Sequence, residues 1–148
     1  MSWKRLLAEG RVERHETTAE ELGALRAVIQ RNLADARVEA ISSDTRFGCA
    51  YEAALIVATA AIACSGYRVK GQGHHRTTFE ALPIALPGEE STLDARYLDR
   101  CRRLRNELSY LAADVVDARE VAELLARVDV LLSRVSTVVE RRLPGAWN

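Results

Sequence analysis

Apolar residues return every third or fourth position along most of this chain, the spacing that lays one face of a helix on a core. Leu22, Leu25, Ile29, Leu33 and Ala36 form one such stripe. Thr18 and Glu21 precede it at the spacing of a capping box, in which each side chain satisfies a backbone N–H of the first turn. A second helix is predicted from "SSDT", where Ser43 or Asp44 can cap, to "CSGY", where Gly66 can take the left-handed conformation that ends helices. Phe47, Tyr51, Leu55, Ala58 and Ile62 mark its inner face, but Ala50, Ala53, Ile56, Val57 and Ala60 make its flanks apolar too. A helix apolar on several sides belongs at the centre of a bundle.

The pattern breaks between 66 and 92, with glycines at 71 and 73 and prolines at 83 and 87. This segment reads as loop, short helix over 77–82, and loop. A long helix follows, 93–113, on the repeat Tyr97, Cys101, Leu104, Leu108 and Leu111. The last, 118–143, carries Val121, Leu124, Val128, Leu131, Val135 and Val138, close to a heptad seam, and stops at Pro144 and Gly145. A short helix near Trp3–Leu7 starts the chain, and no five-residue stretch alternates as a strand would. The fold class is all-α: one domain over residues 1–148, an antiparallel bundle of four to five helices with 66–92 across one end.

Composition narrows the classes without changing this picture. At 148 residues, with 48% hydrophobic and 28% charged side chains, the chain can bury a core without metal or disulfide staples. Cys49, Cys64 and Cys101 are scattered and include no CxxC, which suggests neither a disulfide framework nor a zinc site, and no cofactor is implied. The N-terminus lacks a signal-peptide pattern, and "AALIVATAAIACSG" is shorter than the ~20 residues of a membrane span, so a cytoplasmic protein with no membrane partner is expected. Formal net charge is zero, so any binding of nucleic acid must rest on a local patch.

The patch lies in and around "RRLRNELSY", residues 102–110. Arg96, Arg100, Arg102, Arg103 and Arg105 fall within ten residues, against Asp99 and Glu107. At ~100° per residue, Asn106 and Tyr110 share a face with Arg103 and Asp99, while Arg105 lies between that face and the apolar stripe. The bland reading of these arginines is a solvated helix face paired with neighbouring acids. A second group, Arg68, Lys70, His74, His75 and Arg76, surrounds the flexible "GQGHHR". If this loop folds over Arg105, His75 can supply a proton carrier and the cations a basic cleft; otherwise the two histidines are surface or helix-start residues. Two adjacent histidines without further ligands are a poor metal site.

Arg105 followed by Asn106 resembles the motif of the HEPN superfamily, in which Arg, commonly followed by Asn, precedes a His after four to six residues. Tyr110 stands where the shortest spacing places that His. Residues 44–82, an alanine-rich helix ending in Gly-Tyr-Arg before a loop with Gly and His, also look like bacterial HEPN-like proteins. The resemblance implies a small helical bundle that dimerises, bringing Arg105 and Tyr110 of two copies into one cleft. It implies RNA or nucleotide-phosphate binding in a toxin–antitoxin or defence setting. In metal-independent cleavage the His moves protons and the Arg stabilises the charge building on phosphate. Tyrosine, with a pKa of ~10, is a poor base in that role. Arg105, Asn106 and Tyr110 are therefore the candidate catalytic residues, and Arg102, Arg103, Arg68, Lys70, His75 and Arg76 the candidate nucleic-acid contacts. The alternative is a non-catalytic helical dimer that binds a nucleotidyltransferase-type protein partner, with the acidic run Asp114, Asp117, Glu120 and Glu123 as a docking face or simply a solvated helix start.

Overall fold

A computed structural model describes residues 1–108 and 113–148. These form six helices and one two-stranded ribbon: α1 (Trp3–Ala8), β1 (Val12–Arg14), α2 (Ala19–Ala36), α3 (Ser43–Cys64), β2 (Tyr67–Val69), α4 (His74–Ala85), α5 (Glu89–Leu108) and α6 (Ala118–Arg142). The fold is an all-α bundle in which α3 is the axis, packed by α2, α6, α4 and α5. Its alanines let these neighbours approach closely, and Ala50, Ala53, Ala54, Ala58, Ala60 and Ala61 are all fully buried. At 22 residues α3 is longer than its apolar stretch suggests, and by length and composition it could cross a membrane. Here 67% of its most apolar window is buried inside the bundle. Between Gly48 and Thr59 the partly exposed positions of α3 are Gly48, Cys49, Glu52, Ile56 and Thr59, a single helical stripe.

The helix ends show where local rules yield to tertiary partners. Thr18 Oγ1 accepts from the Glu21 N–H at 3.1 Å, but the Glu21 carboxylate does not return to Thr18. It is held by His15 Nε2 at 2.7 Å and by the Thr17 hydroxyl at 3.2 Å, so only half of the predicted capping box forms. Ser42, not Ser43 or Asp44, caps α3, accepting from Thr45 N–H at 3.2 Å. Asp44 instead accepts backbone N–H groups from Asp114 (2.8 Å), Val115 (3.4 Å) and Val116 (3.0 Å), tying the α5–α6 connection to the start of α3. Asp117 caps α6 in a reciprocal box with Glu120, so two members of the acidic run are helix-start residues.

Two helix starts, the end of one buried series and one added element differ from the sequence reading. Helix α4 begins at His74 rather than 77, behind Gly73 at φ 70°, with no side-chain cap to announce it. Helix α5 starts at Glu89 rather than 93. On α6 the buried series ends at Val139 rather than Val138, because the helix keeps its 3.6-residue period instead of a heptad's 3.5. Strands β1 and β2 pair antiparallel with Val12 opposite Val69, burying Val12 against Leu6, Ile62 and Ala81. Trp3 stacks on Tyr67 with ring centroids 4.3 Å apart. At the other end of the chain, Trp147 Nε1–H donates to the Leu22 carbonyl at 2.7 Å and closes α6 onto α2.

Candidate functional site

The partly exposed stripe of α3 forms the floor of a trough with two clefts in series. In the first, of about 450 Å³, Arg105 of α5 faces Asn32 of α2 and Asp44, Gly48, Cys49 and Glu52 of α3. Gly48 matters to this seat: a Cβ there would lie 3.4 Å from Arg105 Nε and 3.8 Å from its Cδ. A small residue here lets the arginine stem lie against the helix; a methyl group would only touch it, and a longer side chain would take its place. The second cleft, of about 470 Å³, shares Glu52 and continues along Leu55, Ile56 and Thr59, walled by Leu25 and Glu21 on one side and by His74, His75 and Thr78 on the other.

Glu52 is common to the two clefts, and His75, in the second, lies within the electrostatic reach of Arg105 in the first. His75 Nδ1 is 3.2 Å from the hydroxyl of Tyr51, a buried core residue that also packs edge-on against Phe79 at 5.8 Å. Burial pushes the His75 pKa below its ordinary value, and the charges of His74, Arg105 and Arg102 push the same way against an opposing Glu52. The imidazole is therefore neutral at pH 7. Burial also drives the Tyr51 phenol far above its ordinary value, although Arg102 and Arg105 oppose this, so Tyr51 stays protonated. A neutral imidazole oriented by a hydroxyl, in the field of two guanidiniums, has the composition of a proton-accepting site beside an anion site.

The other predicted residues separate into different surroundings. Arg102 donates to Asp99 at 2.9 Å on the trough side of α5. Asn106 and Arg103 are exposed on another side. Arg103 lies 3.8 Å from Asp99 and lines a cleft of about 610 Å³ with Arg100, Glu107, Glu120 and Glu123, a mixed field rather than a basic one. Arg68 and Lys70 are both paired with Glu13 across the ribbon, although Arg68 also reaches the rim of the second cleft. Arg76 pairs with Glu80 at 2.8 Å and does not line the trough. Tyr110 lies outside the described residues. Of the loop cations and histidines, His74, His75 and Arg68 line the trough.

Sequence reasoning missed Gly48, Tyr51 and Glu52 as site residues. The one signal was Glu52 itself, a lone acid within "AYEAALIV", since an acid in so apolar a run needs a reason. Among the described residues no three His, Cys, Asp or Glu side chains converge as metal ligands. Compared with known proteins, the chain matches no family model, no curated protein and no solved structure.

Proposed function

We propose that this chain is a HEPN-like protein that binds the phosphate of RNA or a nucleotide in the α3 trough, in a toxin–antitoxin or defence setting, with Arg105 as the phosphate contact. The observation that carries the reading is that Arg105 and a neutral His75 line adjoining clefts along one stripe of α3. A planar guanidinium offers a forked pair of donors to two phosphate oxygens. With Nδ1–H donated to Tyr51, the His75 Nε2 lone pair can take a proton. These two groups suffice for metal-independent cleavage. His75 removes the 2′-OH proton, the 2′-oxygen bonds to the adjacent phosphorus, and the P–O5′ bond breaks. Arg105 offsets the charge on the crowded phosphorus, and the departing 5′-oxygen takes a proton from water or from the imidazolium. In this reading His75, rather than Tyr110, supplies the proton chemistry.

The test is RNA binding and cleavage in EDTA, with salt titration, for wild type, Arg105→Ala and His75→Ala. Loss of one charge-assisted phosphate contact costs about 1.5–3 kcal/mol, so Arg105→Ala should weaken binding roughly ten- to a hundredfold and flatten its salt slope by about one. Cleavage should vanish in His75→Ala. Binding indifferent to Arg105 would end this reading. It would favour the second one, a helical module for a nucleotidyltransferase-type partner, which has its own supporting observation: Leu93 and Val130, 50% and 58% exposed, sit together across α5 and α6. Dimerisation belongs to the first proposal as well. A two-fold contact through α5 would use the exposed Asn106 and Arg103, and sedimentation of wild type against Asn106→Trp tests it.

A further inference from the structure

We infer that the second cleft is a base pocket selective for an unpaired guanine, an inference that rests on Arg105 holding the phosphate of the same nucleotide. Glu52 lies four residues along α3 from Gly48 and Ile56 eight, about 6 and 12 Å along the helix axis. A phosphate at Arg105 and a base over Ile56 therefore fall within one nucleotide's length. The cleft has the character of a small-molecule site: about 470 Å³, with apolar walls from Leu25, Leu55 and Ile56 and the flat rings of His75 and Tyr67 at its sides.

Its polar lining selects the base. Thr59 and Thr78 spend their hydroxyl protons on the carbonyls of Leu55 (2.8 Å) and His74 (2.7 Å), so toward a ligand they present lone pairs. Arg68, at the rim, is held by Glu13, and Glu21 is held by His15 and Thr17. Glu52 differs: its carboxylate accepts no hydrogen bond from any described residue, and it sits where the two clefts meet. An ionised carboxylate only accepts, through two adjacent oxygens. Guanine presents two adjacent donors, N1–H and the N2 amino group, which match it. Adenine sets the acceptor N1 beside its amino group, cytosine sets N3 there, and uracil has a single N–H between two carbonyls; each leaves a lone pair facing an oxygen. Such a mismatch costs more than a missing contact, because a desolvated acceptor is left unpaired. The trough also lies along one helix between two walls, which favours a single strand over a duplex.

The experiment is calorimetric titration with guanosine and with the 5′-monophosphates of guanosine, adenosine, cytidine and uridine, on wild type, Glu52→Gln, Ile56→Trp and Arg105→Ala, each checked by circular dichroism. Wild type should prefer the guanine nucleotide by about tenfold or more. Glu52→Gln replaces one acceptor with a donor and should bring that ratio to about one. Ile56→Trp, which fills the cleft, should do the same by another route. Arg105-dependent binding that is blind to the base, or a guanine preference that survives both variants, overturns the pocket while leaving the phosphate reading intact. Glu52-dependent binding of guanosine with no effect of Arg105→Ala leaves the pocket and removes the phosphate contact. No binding of any of the five overturns both.

Discussion

Replacing Gly48 tests the seat of Arg105 at two sizes of perturbation. A methyl group at this position lies 3.4 Å from Arg105 Nε and 3.8 Å from Cδ, ordinary contact, so Gly48→Ala fits without moving the arginine. It also removes a glycine from a helix interior, which gains about 0.5–1 kcal/mol from reduced freedom of the unfolded chain. With ~2.1 cal/mol/K of unfolding entropy per residue over 148 residues, that gain raises Tm by about 2–3 °C. Gly48→Leu is different in kind, since its outer carbons occupy the arginine stem's place. Overpacking costs about 1–3 kcal/mol, and expelling Arg105 should weaken RNA binding as much as Arg105→Ala does. Thermal denaturation and RNA titration on the same three proteins give both readings. The reasoning fails if Gly48→Ala lowers Tm by several degrees, or if Gly48→Leu binds RNA as wild type does.

Asp44→Ala removes the acceptor of three backbone N–H groups and frees Asp114, held at φ 63°, so about 2 kcal/mol of stability should be lost in urea, with Asp44→Asn losing roughly half as much. Because burial and neighbouring cations depress the His75 pKa, the unfolded chain binds that proton more readily than the folded one. Stability should therefore fall as pH drops through the unfolded value of ~6.5 and level off below the folded pKa, and urea titrations from pH 7.5 to 5 should show a smaller fall for His75→Phe. Burial pushes the Cys101 thiol up to about 11, so in the native protein at pH 8 it should be alkylated after the partly exposed Cys49 and Cys64, an order that mass spectrometry should see vanish in denaturant.

The bundle was legible because its helices are long enough for many apolar repeats to agree. The central place of α3 followed from alanines on every side. Strands β1 and β2 were not legible, because three residues cannot display a period of two and their pairing joins Val12 to Val69 across most of the first half of the chain. The start of α4 was hidden by Gly73, which caps through backbone conformation and leaves no side-chain signature. In the site, the helical angle correctly set Arg105 apart from Asn106, on the way to the apolar stripe. What the helical angle does not contain is which cations find acids. Arg68 and Lys70 looked available beside His75, yet their partner Glu13 is more than fifty residues away in sequence. Glu52 stayed unnoticed for the converse reason, since its position between two clefts depends on α2 and α4 both being in place.

The placement of α3 also sets an order of risk while the chain folds. It follows α1, the ribbon's first strand and α2 in sequence, whereas α4, α5 and α6, which cover most of its remaining surface, are synthesised after it. A growing polypeptide thus carries a span-length apolar helix before its cover exists. Until α6 docks, that helix is a ready substrate for chaperones, for insertion machinery or for another unfinished copy. Substitutions that loosen α6 should accordingly show first as lost yield and aggregation, before any change in the chemistry of the trough.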